Sequence, residues 1–336
     1  MTVHTESVQP NSTIERVRAW LEWPADALPR LKALADCGPL ASTFELPAGA
    51  ELRALLERLD VPPHAADEIE QSLPSADAHP EAWWLLERLY QQLTERDGSA
   101  IAPPWPAPQV TDDPLTLYFH LYVFLAAAAG TVRGHRARGI PDDITWSTLE
   151  DTGLQVAHYQ TRNGRPGFDG AFWVWPHFRG EVYRLGRLQY TFGAIEFDPD
   201  EGDGFRRGDP ALEVHIPAVG PMTPEACDDS FVRARAFFPQ HFPDRPMRIA
   251  TCASWLLDPQ LGDYLGPDTN IMRFQSRFTH APGRPRPGDD DVIRFAFGFL
   301  PDSIDDLPQR TTLERALVTH LRRGGHWHFR LGWFGL

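Results

Sequence analysis

What most limits the folds open to this chain is a change of hydrophobic period at a turn-rich segment, Asn163-Gly-Arg-Pro-Gly-Phe-Asp-Gly170. Upstream, apolar residues recur every three to four positions. Residues 50–59 put leucines at 52, 55, 56 and 59, one stripe of a helix. Residues 80–93 repeat the pattern behind Pro80, whose fixed φ suits a first helical position. Asp112-Asp113-Pro114 predicts the capped start of a strongly apolar helix reaching Gly130, and residues 147–160 predict a weaker one. From Phe172 onward, β-rich runs take over at 181–197, 211–217, 248–257, 271–279, 292–299 and 326–334. Helical candidates at 223–238, 258–265 and 311–322 separate several of them. The expectation is an α+β chain, with a helical N-terminal domain over residues 1–170 and a mixed-sheet domain over 171–336. A second boundary candidate, Ala102-Pro-Pro-Trp-Pro-Ala-Pro108, reads as a stiff connector.

Composition narrows what such a chain can do. Its 336 residues are 42% hydrophobic and 23% charged, the balance of a globular protein with a sizeable core. A net charge of −14 with no Lys/Arg-rich run removes the counterion release that drives nucleic-acid binding, so no nucleic-acid partner is expected. Cys37, Cys227 and Cys252 are too widely spaced for a zinc site or a disulfide framework, which implies no metal and a reducing compartment. Residues 1–11 are polar without a signal pattern, and the apolar stretch 115–129 is interrupted by His120 and too short to cross a bilayer. A cytoplasmic protein without a membrane span is expected. Asp289-Asp-Asp291 reads as a solvated turn before a strand.

The chemistry is best sought in residues 212–225. A short strand ends at Ile216, a loop carries Gly220, and a helix opens with Thr223 as N-cap and Pro224 at its first position. That arrangement can seat an anion on free backbone N–H groups. Pro221 and Pro224 lack such donors, however, and Glu225, Asp228 and Asp229 oppose negative charge, so these residues alone favour an ordinary strand-to-helix connection. Within the strand, alternation puts Glu213 and His215 on one face and Leu212, Val214 and Ile216 on the other. Histidine can act as a general base near neutral pH, or simply be a hydrogen-bonded residue. Cys252, Ser254 and Asp258 could support covalent hydrolysis or thioester cleavage with His215, but no Gly-x-Ser-x-Gly elbow surrounds Ser254. A lone Cys in a β-run is usually a small buried hydrophobe. Trp173-Val-Trp175 and Trp255 read as core or as the apolar wall of a pocket.

Four segments in order carry a resemblance: Arg184-Leu-Gly-Arg-Leu-Gln-Tyr190, Val214-His-Ile-Pro-Ala-Val-Gly220, Ala236-Phe-Phe-Pro-Gln-His-Phe242 and Cys252-Ala-Ser-Trp-Leu-Leu-Asp-Pro259. Together they resemble a GNAT-like N-acyltransferase family with a helical N-terminal domain, whose members include the long-chain N-acyltransferases of teicoplanin-type glycopeptide assembly. The resemblance implies an acyl-coenzyme A co-substrate, a small-molecule amine acceptor and a sheet splayed at residues 212–217 for the pantetheine arm. It implies His215 as the base that deprotonates the amine and Tyr264, on a helix after the 252–257 run, as the acid that protonates the departing thiolate. Donor contacts are implied at Ile216, Ala218, Val219, Gly220, Met222, Thr223 and Ser254. The loop from Ala218 to Met222 is poorer in glycine and basic residues than the usual GNAT pyrophosphate loop, so Arg233, Arg273 or Arg277 are candidates to assist. A non-catalytic acyl-coenzyme A-binding protein is the remaining alternative, since fold alone does not guarantee turnover.

Overall fold

The helical half follows its apolar stripes closely. A computed structural model of the chain describes residues 10–36, 43–95, 100–200 and 204–336. Cys37 and most of the polar stretch at 1–11 lie outside the described residues. Its α-helices are α1 (Pro10–Trp20), α2 (Leu28–Ala35), α3 (Gly49–Arg58), α4 (Pro63–Gln71), α5 (Pro80–Thr94), α6 (Pro114–Leu117), α7 (Phe119–Ala137), α8 (Asp142–Leu149), α9 (Asp151–Asn163) and α10 (Ala171–Phe178). The leucine stripes of α3 and α5 face inward, with Leu52, Leu56, Leu85, Leu86 and Leu89 all fully buried. At the centre, α7 buries Phe119, Leu121, Tyr122, Val123 and Phe124 on every side, which its nearly uninterrupted apolar composition requires. Each such side chain contributes roughly 1.5–3 kcal/mol of transfer free energy.

Boundaries shift where backbone geometry overrides the stripe. Asp113 does act as an N-cap, accepting from the Leu115 amide at 3.0 Å, but only for the single turn of α6. The long helix begins at Phe119 and continues past Gly130 to Ala137. The candidate at 147–160 is two helices, α8 and α9, which meet at Glu150. The connector at 102–108 is packed: Trp105 is buried and its indole N–H donates to the Ile101 carbonyl at 2.7 Å.

The chain divides into two compact units, residues up to 137 with 141–180, and residues 138–140 with 181–336. Residues 171–178, expected to open the sheet domain, form α10 of the first unit, with Val174 and Phe178 in its core. The expected boundary at 170/171 thus precedes the observed division at 180/181.

The second unit holds the strands β1 (Val182–Leu185), β2 (Leu188–Ala194), β3 (Pro210–His215), β4 (Ile249–Ser254), β5 (Thr279–His280), β6 (Arg286–Pro287) and β7 (His328–Gly335). It also holds the helices α11 (Pro224–His241), α12 (Asn270–Gln275), α13 (Asp289–Phe297) and α14 (Thr312–Arg322). The sheet runs β1-β2-β3-β4-β7-β5, with β6 on β7, and β3–β4 is its parallel pair. Helix α11 covers one face through Phe238, which meets Tyr190 and Phe192, and Phe231, which meets Phe334.

Two expected strands are helices. Residues 271–279 give α12, with Phe274 buried and its ring centroid 5.1 Å from that of Phe278 in a tilted arrangement, and only Thr279 enters a strand. Residues 292–299 belong to α13, where Val292 and Ile293 are buried while Phe295 points out, 72% exposed. The three aspartates at its start complement the helix dipole, and Gly298, at φ +82°, ends it. They are not a turn before a strand: Asp289 accepts from the Trp327 amide and pairs with His326.

Candidate active site

The parallel β3–β4 ladder is short. It consists of Leu212 opposite Ala250 and Glu213 opposite Thr251, although β3 continues to His215 and β4 to Ser254. Beyond Glu213 and Thr251 the two strands no longer pair with each other, though each stays paired with its outer neighbour, and a cavity of about 160 Å³ opens there. Its walls carry Glu213 and His215 from β3, Thr251 and Ala253 from β4, Leu331 from β7, and Ala194 and Glu196 at the end of β2. A larger cavity of about 380 Å³, lined by Glu68, Ser72, His79 and Asp113 among others, lies in the helical unit and holds none of the expected catalytic or donor-binding residues.

The alternation expected along β3 is observed from Leu212 to His215, while Ile216 lies beyond the strand and is half-buried. Leu212 and Val214 are buried, whereas Glu213 and His215 are half-buried on the cavity side. His215 Nε2 lies 2.9 Å from Thr191 Oγ1 on β2, and Thr191 donates a longer hydrogen bond, 3.4 Å, to Glu213 Oε2. Burial, reinforced by nearby Glu196, raises the Glu213 carboxyl above its usual 4.5, while the Thr191 hydrogen bond opposes the rise. The sequence marked Glu213 only as sharing a face with His215. Thr191 carried no signal, because it reaches His215 from another strand.

Ile216 and Pro217 leave the strand, and Ala218, Val219 and Gly220 form a bend, with Gly220 at φ +56°. Met222 is buried. Thr223 caps α11 as expected, accepting from the Ala226 amide at 3.2 Å with Pro224 in the first turn. The loop is held by a side chain that the sequence presented only within segment 184–190. Arg187 donates to the carbonyls of Pro217 (3.0 Å), Gly220 (3.3 Å) and Pro221 (3.3 Å). The three arginines considered as helpers are each ion-paired: Arg233 with Asp229, Arg273 with Asp268 and Arg277 with Asp228, at 2.7, 2.8 and 2.8 Å.

Tyr264 is not on a regular α-helix. β4 ends at Ser254, two 3₁₀ turns follow (Trp255–Leu257 and Pro259–Asp263), and Tyr264 caps the second. Its hydroxyl lies 3.1 Å from His320 Nδ1 on α14, and it is absent from the walls of the cavity that holds His215. Ser254 is spent structurally, its hydroxyl accepting from the Leu256 amide at 3.1 Å. Cys252 is buried, and burial pushes its thiol up to about 12, the reverse of an activated nucleophile. Asp258 is fully buried and accepts from the amides of Gln260 and His328. Trp255 is buried core. Among the described residues, no group of His, Cys, Asp and Glu is arranged to hold a metal ion, and no helix is long and apolar enough to cross a membrane.

Comparison with known proteins matches this layout in both halves. A family model described as the N-acyltransferase N-terminal domain matches residues 50–180, and one described as a GNAT-like C-terminal domain matches residues 182–334. A crystal structure of an acyltransferase in complex with decanoyl-CoA and teicoplanin matches at 39% identity and a TM-score of 0.86, over 96% of this chain and 99% of that one. The chain belongs to the GNAT-like N-acyltransferases. An acyltransferase in complex with CoA and 10C-teicoplanin matches with the same figures, and one in complex with decanoyl-CoA at 40% identity and a TM-score of 0.85, with the same coverage. No curated protein sequence matches. Membership makes this an enzyme of acyl transfer, with the helical N-terminal part and mixed C-terminal sheet that its hydrophobic periods predict.

Proposed function

We propose that this N-acyltransferase takes a medium- or long-chain acyl group from acyl-coenzyme A and passes it to a primary amine, with His215 as the general base. The observation that supports this most is the place of His215. It is the last residue of β3, on the cavity face, just past the point where the β3–β4 ladder stops. Two strand ends that part leave backbone groups and a slot for an extended thioester arm, and the imidazole stands at its edge. The relatives' decanoyl-CoA, CoA and teicoplanin complexes favour acyl-coenzyme A as donor and the aminosugar of a glycopeptide as the acceptor class.

The amine lone pair attacks the thioester carbonyl carbon and forms the C–N bond. As the tetrahedral intermediate collapses, the C–S bond breaks and its electron pair leaves on sulfur. His215 accepts the proton that nitrogen loses. Tyr264 is assigned the second transfer, from its hydroxyl to the thiolate, with His320 as the neighbour that can restore the proton. Residues 216–223 are assigned to the donor, with Arg187 keeping their loop in shape. Ser254, as an amide acceptor, is assigned a structural part beside the donor. Acyl transfer is favoured over hydrolysis by the buried, protonated thiol of Cys252 and the engaged hydroxyl of Ser254.

The test is release of free coenzyme A thiol from octanoyl- or decanoyl-coenzyme A, with and without a teicoplanin-type glycopeptide bearing a free aminosugar. Amine-dependent release with an N-acyl product supports the proposal, and amine-independent release identifies a thioesterase. In the same assay His215→Gln should lower turnover by about a hundredfold to ten-thousandfold, the usual share of general-base catalysis, with donor binding retained. A folded His215→Gln protein with unchanged turnover removes the histidine from the mechanism. Tyr264→Phe should cost less, because solvent can protonate a thiolate.

A further inference from the structure

We infer that Thr191 is a positioning residue for His215, fixing its imidazole through a hydrogen bond that Glu213 in turn orients. The inference rests on the general-base reading of His215.

The three residues come together through register. Thr191 on β2 stands directly opposite Glu213 on β3, and His215 lies one pleat further along the same face, opposite Gln189. Thr191 therefore reaches both, at 2.9 Å to His215 Nε2 and 3.4 Å to Glu213 Oε2. A hydroxyl has one hydrogen to give. Given to the Glu213 carboxylate, it leaves the oxygen as acceptor, and Nε2 of His215 must then carry the ring hydrogen. The lone pair that takes a proton from the amine is in that case on Nδ1. This is the tautomer control that an activated histidine needs, since a neutral imidazole with its hydrogen on the wrong nitrogen is no base at the right place.

Glu213 itself lies in space left by a neighbouring glycine. A Cβ on Gly193 of β2 would stand 2.2 Å from Glu213 Oε1 and 2.7 Å from its Cδ, so the glutamate lies across the space that glycine leaves open. Glycine weakens a strand, and in a strand interior it commonly marks a close approach. Here the approach is that of the carboxylate. The other groups facing His215 across the cavity are Thr251 and Ala253 on β4, Leu331 on β7 and the carboxylate of Glu196. Among the described residues that line the cavity, Glu213 and Glu196 are the charged groups, and both favour the imidazolium that forms when the base has done its work.

The test uses the whole enzyme in the thiol-release assay, with His215→Gln measured alongside. Thr191→Val, which keeps the shape and loses the hydroxyl, should lower kcat by about ten- to a hundredfold, the range of one hydrogen bond to a charged group, with little change in donor KM. Activity falls in acid as the base is protonated. Thr191→Val and Glu213→Gln each withdraw something that favours imidazolium, so each should move that acid limb to lower pH. Thr191→Ser restores the hydroxyl and should restore both kcat and the limb to within a few fold. Thermal unfolding of each variant controls for folding. A purely structural threonine would instead lower stability and leave the limb where it was. Thr191→Val with wild-type kcat and an unmoved limb, beside an inactive His215→Gln, overturns the inference alone. An active, folded His215→Gln overturns it together with the base assignment.

Discussion

At the scale of single residues, the site holds a carboxylate in a place that costs stability. Burial and the neighbouring Glu196 raise the Glu213 carboxyl, so the folded state binds its proton more readily than the unfolded chain does. The stabilising contribution of that group is therefore present below the unfolded value and is lost as pH rises through the folded one. At neutral pH the ionised Glu213 is a burden on the fold, and Glu213→Gln should raise the unfolding midpoint there. The gain should fade below about pH 4, where both states of the wild type are protonated. Calorimetry across pH reads it directly; a variant less stable at neutral pH than wild type would show that the carboxylate is a stabilising hydrogen-bond partner instead. Such a cost at a cavity wall is what a functional role predicts, since sites of chemistry are where a fold keeps groups that stability alone would not choose. Gly193→Ala probes the same point from β2, because its methyl group must displace Glu213. It should move the acid limb of activity to lower pH as Glu213→Gln does, while the sheet persists.

Among the elements, α11 packs on the sheet of the second unit, and its attachment is polar as well as aromatic. Ser230 is fully buried and ties the helix to the β1–β2 turn: it donates to the Leu185 carbonyl, accepts from the Leu188 amide at 3.2 Å, and lies 3.1 Å from the Tyr190 hydroxyl. Ser230→Ala leaves those groups short of a partner inside the protein and should cost about 1–3 kcal/mol in urea unfolding. Thr223→Ala removes only the N-cap and should cost about 1 kcal/mol. Because that cap lies in the segment assigned to the donor, its loss should also weaken donor binding; unchanged affinity would separate the capping role from the binding role. Elements with a clear start signal and one stripe were legible in the sequence: α5 opens on Pro80, and α11 and α14 are capped by Thr223 and Thr311. The helices α12 and α13 were not, because runs such as Ile271-Met-Arg-Phe and Val292-Ile-Arg-Phe hold branched and aromatic residues that suit a strand equally well. The acidic turn at Asp289 and the glycine at 298 were the available signals for α13.

On the scale of the whole molecule, binding of a donor to the folded state alone must shift its unfolding. At a hundredfold excess over its dissociation constant, an acyl-coenzyme A should add about 2.7 kcal/mol and raise the unfolding midpoint by a few degrees. The shift should grow with chain length up to the length the apolar walls accommodate, and coenzyme A alone should give less. Scanning fluorimetry below the micelle threshold measures it, and no shift at any chain length contradicts the donor assignment.

By itself the sequence determined the change of hydrophobic period from helix to sheet, the strand–loop–helix around Gly220, and the face shared by Glu213 and His215. All of these are local, since a period or a cap is written in residues a few positions apart. Tertiary structure alone decided that α10 belongs to the helical unit, that the β3–β4 ladder ends after two pairs, and that Tyr264 meets His320. It also decided that Thr191, 24 residues before His215, reaches its imidazole. Strand register brings such residues together, and register is fixed by which faces bury against which helices across the whole sheet. A one-residue slip between β2 and β3 would turn Thr191 away from both Glu213 and His215, and no property of either strand read singly excludes it.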